Sequence, residues 1–264
     1  MRLLLAATLI GLLAFTSGAS GAQGLGADRP TVLITGANRG LGLEFARQYA
    51  ALGWNVIATC RRPRAAEELA ELVKSNEHVV VERLDVTRDS HVRKLADKYA
   101  DQPIDVLLNN AGIYGTLEKQ TLGNFDFDEL EKVFRVNTIG SLRVSEAFLE
   151  NVAVSGQKKI ISLGGGMGTQ SIGSMFGGHY FMKMSKSAHL IAMGTMQRET
   201  RERGLIITMI SPGRVDTQLM RDSGWTGRSI SAVDSASYVI ERIAALDKSM
   251  GGKLITYDGK VIPW

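Results

Sequence analysis

Thr31-Val-Leu-Ile34 is a short apolar, β-branched run between Pro30 and Gly36, and Thr35-Gly36-Ala37-Asn38-Arg39-Gly40-Leu41-Gly42 follows it at once. Leu43 to Leu52 then continues at helical spacing and closes at Gly53. The run reads as a buried parallel strand, so the order is strand, glycine turn, helix. Glycines let the backbone come close to a bound group, while the start of the helix offers unpaired N–H groups and the positive end of its dipole. A pyrophosphate suits that arrangement, which makes Thr35, Gly36, Asn38, Arg39, Gly40, Leu41 and Gly42 candidate binding residues; the alternative is a tight turn with no ligand.

The second apolar run, Asn55-Val-Ile-Ala-Thr59, ends at Cys60-Arg61-Arg62, where an NAD site usually carries an acid for the ribose 2′-hydroxyl. No acid is present. Arg61, helped by Arg39, is suited to a 2′-phosphate, which points to NADP(H) in preference to NAD(H); the alternative is a pair of solvated surface arginines. Further short apolar runs at Val79–Val81, Val106–Leu108, Lys159–Ser162 and Ile206–Ile210 alternate with helical stretches, including a long helix through Phe134-Arg-Val-Asn137-Thr-Ile-Gly140. Such alternation implies an α/β fold: one Rossmann-type doubly wound parallel sheet with helices on both faces and a ligand cleft at the C-terminal strand ends.

At 264 residues the chain is long enough for one such domain. Arg2, the apolar residues 3–15 and the small polar residues 16–26, with Ser20-Gly-Ala22 as a cleavage site, read as a secretory signal peptide over residues 1–22. A linker at 23–29 and the domain at 30–264 complete the division. The chain is therefore expected to be exported: to the periplasm or medium if bacterial, to the reticulum lumen or outside if eukaryotic. No stable membrane span remains after cleavage. The single Cys60 forms no internal disulfide, and a net charge of +4 with no long basic run is too small for a nucleic-acid surface. His179 and His189 lack acidic partners at ligand spacing, so no metal site is expected. Six of the ten methionines, Met167, Met175, Met182, Met184, Met193 and Met196, crowd one segment, either as core packing or as walls of an apolar pocket.

On these motifs the chain resembles the short-chain dehydrogenase/reductase family from Pro30 to Trp264. Within that family it is similar to the carbonyl reductase branch of the sniffer and C-factor kind, through Ile104-Asp-Val-Leu-Leu-Asn109-Asn110-Ala111-Gly112 and the closing Tyr257-Asp-Gly-Lys-Val-Ile-Pro-Trp264. The resemblance implies an adenine contact at Asp85 and Val86. It also implies a cofactor floor at Asn109, Ala111 and Gly112, and further cofactor contacts at Pro212, Gly213, Val215 and Thr217. It implies hydride transfer between a nicotinamide and a small-molecule carbonyl or alcohol, in which a Tyr protonates the oxygen and a Lys lowers that Tyr's pKa and holds the ribose. A Ser bonds the same oxygen, and an Asn anchors a relay water. Carried over, the Lys is Lys186 and the Asn is Asn137, but the Ser-Ser pair is Gly164-Gly165 and the Tyr is Met182, whose thioether has no proton to give. Tyr180 is the candidate substitute, although a two-residue offset turns a helical side chain about 200° away. Lys183, Ser162, Thr169 and Ser171 are weaker candidates. Two readings follow: an NADP(H)-binding oxidoreductase of weak or altered turnover, or a non-catalytic nucleotide-binding or signalling protein. A homodimer through the helices carrying Asn137 and Lys186 is the assembly that the resemblance implies.

Overall fold

The computed structural model describes residues 25–263. The proposed signal peptide, its cleavage site and the first of the linker residues lie outside the described residues, as does Trp264. Eight strands form one sheet: β1 (Thr31–Ile34), β2 (Asn55–Cys60), β3 (Val79–Arg83), β4 (Val106–Asn109), β5 (Lys159–Leu163), β6 (Ile206–Ser211), β7 (Leu254–Thr256) and β8 (Val261–Ile262). Their spatial order is β3-β2-β1-β4-β5-β6-β7-β8. The first seven run parallel and β8 runs antiparallel to β7, so the closing segment is a hairpin that edges an otherwise parallel sheet.

Among the described residues ten α-helices connect the strands: α1 (Gly40–Ala51), α2 (Glu67–Ser75), α3 (Asp89–Lys98), α4 (Phe127–Phe134), α5 (Ser141–Ala147), α6 (Leu149–Ala153), α7 (Gln170–Gly173), α8 (Tyr180–Thr200), α9 (Gln218–Arg221) and α10 (Ala232–Ala245). Every residue of β1, β2, β4 and β5 is buried, as strands covered on both faces must be. Alternate side chains feed two cores because the strand period is two. Val32, Ile34, Val56, Ala58 and Leu108 pack with Phe45 and Tyr49 of α1 and Val239 and Ile243 of α10. Leu33, Ile57, Leu107 and Ile160 pack instead with Val92 of α3, Val144 of α5 and Leu190 and Met193 of α8. Strand order reverses between β1 and β4, and a doubly wound sheet opens its ligand crevice at such a point.

The long helix expected around Asn137 is not uniform. Asp126 caps α4 by accepting a hydrogen bond from the Glu129 N–H, and α4 then runs into a π-helical stretch, Arg135–Gly140, before α5 resumes. Widened turns of this kind re-aim a side chain, and Asn137 lies inside this one.

Candidate active site

The ends of β1 and β4 and the start of α1 are locked together by a few small groups. Gly36 has φ +68°, and a Cβ there would lie 3.0 Å from Ala111 Cα. At Gly42 a Cβ would lie 2.4 Å from both the Gly36 carbonyl oxygen and Asn110 Nδ2. The buried Thr35 hydroxyl accepts the N–H groups of Asn110 and Ala111, each at 3.0 Å, while Asn110 Nδ2 donates to the Thr35 carbonyl at 2.8 Å and to the Gly36 carbonyl at 3.1 Å. No side chain caps α1, and no acid stands in its first turn. Gly40, Leu41 and Gly42 therefore present free N–H groups to the cleft that they line.

Most of the candidate cofactor residues line this one cleft: Gly36, Asn38, Arg39, Gly40, Leu41, Gly42, Arg61, Asp85, Val86, Ala111, Gly112, Lys186, Pro212, Gly213, Val215 and Thr217. Two do not. Thr35 lies beneath the turn and acts through the bonds just described. Asn109 is buried behind the wall, where its Nδ2 donates to Ser145 Oγ at 2.8 Å and Ser162 Oγ at 3.3 Å. Successive residues at a strand end face opposite ways, and it is Asn110, absent from the expected set, that reaches the cleft. Arg39 and Arg61 are exposed at its edge and form no ion pair among the described residues. Burial alone would raise the Asp85 carboxyl, but two hydrogen bonds from Thr87 and the charges of Arg61 and Arg88 hold it below the usual carboxylate range.

The opposite wall comes from α8, the π-helical stretch and the loop after β5. Asn137 is fully buried: its Oδ1 accepts the Ile113 N–H at 2.9 Å, and its Nδ2 donates to the Ile113 carbonyl at 2.9 Å and to Ser185 Oγ at 3.1 Å. The amide is thereby committed to protein groups, so Asn137 braces the wall rather than holding a water through its side chain. Lys186 Nζ donates to the Leu163 carbonyl at 2.9 Å, and burial lowers its pKa to about 8. One turn earlier on α8, Met182 lines the cleft with its Sδ 3.6 Å from Asn137 Nδ2. Gly165 also lines it, and a Cβ there would meet nothing within 4 Å.

Tyr180 is the first residue of α8 and does not line the cleft; its ring packs against Phe125 at 4.9 Å between centroids. The helix begins before Met182, so the offset that turns Tyr180 away applies. The other substitute hydroxyls are also engaged away from the cleft. Ser162 serves Asn109, Thr169 caps α7 and Ser171 donates to the Pro263 carbonyl. Lys183 Nζ donates to the Phe176 carbonyl. Two residues that the motifs did not single out as catalytic, Tyr114 and His179, do line the cleft, joined by a 2.7 Å hydrogen bond between the hydroxyl and Nδ1. Of the six methionines only Met167 and Met182 reach the cleft; Met193 is core, and Met175 and Met184 face solvent. The outer end is walled by Leu117, Met220 and Trp225, with the Arg214 guanidinium 4.0 Å above the Trp225 ring.

Comparison with known proteins agrees with this geometry. The C-signal protein of Myxococcus xanthus is 30% identical over 173 residues, which is 66% of this chain and 100% of that protein. The NADPH-bound carbonyl reductase from chicken fatty liver superposes with a TM-score of 0.81 at 27% identity, covering 89% of this chain and 100% of the other. The carbonyl reductase Sniffer of D. melanogaster does so with a TM-score of 0.79 at 26% identity and the same coverage, 89% and 100%. The family description "short chain dehydrogenase" matches residues 30–226. Because that stretch runs from β1 through α9 and carries the glycine turn, Asn137 and Lys186 alike, the chain belongs to the short chain dehydrogenase family.

Proposed function

We propose that this protein binds NADP(H) in preference to NAD(H) and acts on a small-molecule carbonyl or alcohol, with turnover weakened or altered by two replacements at its catalytic wall. The carrying observation is the cradle: a turn that a Cβ at Gly36 or Gly42 would fill, an uncapped α1, and Arg61 where a ribose-binding acid would otherwise stand, with Arg39 in the glycine turn, neither in an ion pair among the described residues. These residues fit a dinucleotide with an extra phosphate. The chicken carbonyl reductase carries NADPH, and a short-chain dehydrogenase/reductase of Burkholderia multivorans, 26% identical with a TM-score of 0.79, carries NADP. Bound NADPH supplies a hydride at the nicotinamide, and the protein's part is to orient it and to manage the proton.

On this reading Gly36 to Gly42 receive the phosphates, Arg39 and Arg61 the 2′-phosphate, and Lys186 a ribose hydroxyl. Met182 stands in the acid's place and gives no proton, and Gly165 gives no donor to the carbonyl oxygen. A missing general acid removes roughly 10²- to 10⁴-fold of rate. A missing oxyanion donor removes about another 10²- to 10³-fold. Those two losses favour a second reading, a non-catalytic nucleotide-binding protein. Fluorescence titration with NADPH and NADH followed by a panel of carbonyls separates the two: binding with slow turnover supports the first, and binding with none selects the second. Weak binding of both cofactors sinks each. We also propose that the chain is exported with a mature end near Gln23; mass spectrometry finding Met1-Arg2 intact in a cytosolic fraction refutes that.

A further inference from the structure

One proton-bearing pair in the cleft is unused by the reading above. Tyr114 follows β4 and His179 precedes α8, 65 residues apart, yet the Tyr114 hydroxyl and His179 Nδ1 share a 2.7 Å hydrogen bond. The same hydroxyl lies 3.9 Å from Met167 Sδ. Gly165 and Met182, the two places where a proton donor is wanting, line the same cleft as Tyr114, Met167 and His179. The surrounding backbone is braced toward that point. The Asn137 amide grips both sides of Ile113, and Gln120 donates to the Tyr114 carbonyl at 3.0 Å while accepting the Met182 N–H at 3.2 Å. His179 itself sits at φ +57°, a left-handed conformation that histidine adopts more readily than most non-glycine residues.

We propose that Tyr114 is the proton donor of this cleft, with His179 the residue that orients and reloads it. The proposal rests on the reading that the chain reduces carbonyls with NADPH. In the step, the carbonyl carbon receives the hydride of the reduced nicotinamide, the C=O π pair moves onto oxygen, and that oxygen takes the Tyr114 proton. Alcohol, oxidised nicotinamide and a phenolate result. The phenolate then takes the Nδ1 proton of protonated His179, which recovers one from water, so one NADPH and one proton are consumed per carbonyl. Burial pushes the Tyr114 hydroxyl up to about 12, which keeps it protonated through the working range. An alkoxide, with a conjugate acid near that of water at roughly 16, is more basic still, so the transfer runs downhill. The groups facing His179 are the Tyr114 hydroxyl, the uncharged Phe176 ring and the Lys183 ammonium. Burial first and Lys183 second lower the imidazole below its ordinary 6.5, so the reloading form gains population as pH falls through that lowered value.

The test uses the full chain with Tyr114→Phe and His179→Asn, the latter because asparagine tolerates the left-handed backbone. NADPH affinity, carbonyl reduction across pH and the NMR titration of the histidine rings are measured together. The expected result is a fall in kcat of at least ~10²-fold in Tyr114→Phe with NADPH affinity unchanged and a moved His179 titration. In His179→Asn the rise in rate as pH falls through the lowered His179 value disappears. If Tyr114→Phe binds NADPH and keeps its kcat within about threefold, the proposal is overturned and the reductase reading stands. A wild type that binds NADPH but reduces no carbonyl overturns both. Should Tyr114→Phe fail to fold, an unchanged pH profile in His179→Asn is enough to overturn the proposal.

Discussion

Met182→Tyr combined with Gly165→Ser should install a conventional acid and oxyanion donor, and the structure indicates how far the two sites permit it. Met182 is only 8% exposed and lines the cleft one turn before Lys186 with its Sδ 3.6 Å from the buried Asn137 amide, so the phenol ring that replaces the thioether has to turn its hydroxyl from that amide toward the cleft. If the ring were forced into the wall instead, overpacking would cost about 1–3 kcal/mol and show as a lower Tm. Lys186, charged beside the new phenol, favours its phenolate and draws its pKa down. For the serine, position 165 has free space, whereas a Cβ at Gly164 would lie 2.7 Å from Met209 Cε, so only Gly165 takes it without displacement. The background should be Tyr114→Phe, so that no existing donor masks the gain. The acid alone is worth ~10²- to 10⁴-fold. The oxyanion donor is worth roughly 10²- to 10³-fold, and effects at one reacting oxygen do not simply multiply. Carbonyl reduction, followed by loss of NADPH absorbance, should therefore rise at least ~10²-fold over the Tyr114→Phe parent. A variant that melts like its parent, binds NADPH and gains nothing would show that Met182 and Gly165 do not stand where the donors are needed.

Arg61→Ala should weaken NADPH by about 1.5–3 kcal/mol, the range for a hydrogen bond to a charged group, and leave NADH unchanged; equal losses for both cofactors in isothermal titration would refute the 2′-phosphate contact. Gly42→Ala forces a methyl to 2.4 Å from the Gly36 carbonyl and Asn110 Nδ2, so both Tm and NADPH affinity should fall, by about 1–3 kcal/mol in stability. An unaltered melting curve would contradict that packing. His189 is buried on α8 with neither ring nitrogen hydrogen-bonded among the described residues, and burial together with Lys186 lowers its pKa to about 3. The unfolded chain thus binds a proton that the folded chain refuses as pH drops from 6.5 toward 3, and stability is lost across that window at about 1.4 kcal/mol per unit. His189→Leu should flatten the loss in urea melts across pH, and an unchanged slope would argue against it.

What could be read from residues alone was whatever depends on neighbours in the chain. Short β-branched runs placed all of the parallel strands except β7, because a strand buried on both faces needs uninterrupted apolar side chains. The Gly36 and Gly40 positions were legible because positive φ, +68° and +53°, is a local demand that glycine meets without strain. The positions of Lys186 and Met182 on one face of α8 followed from the helical period. The antiparallel β8 was not legible, since two residues carry no periodicity.

The remaining features depended on which strands lie side by side. Whether Asn109 or Asn110 reaches the cleft is decided by how β4 packs between β1 and β5, which buries the first against Ser145 and Ser162 and leaves the second to bind Thr35 and Gly36. Tyr180 was removed from the site by the place where α8 starts, and that start is held by the left-handed His179. The Tyr114–His179 pair has no local signature at all. A tyrosine after β4 and a histidine before α8 meet only because β4 and β5 are adjacent in the sheet, so the loop that follows each strand opens onto the same crevice. Periodicity and turn chemistry act over a few residues and set the elements. Strand order acts over the whole chain, and it is strand order that gathers side chains 65 residues apart within one hydrogen bond of each other.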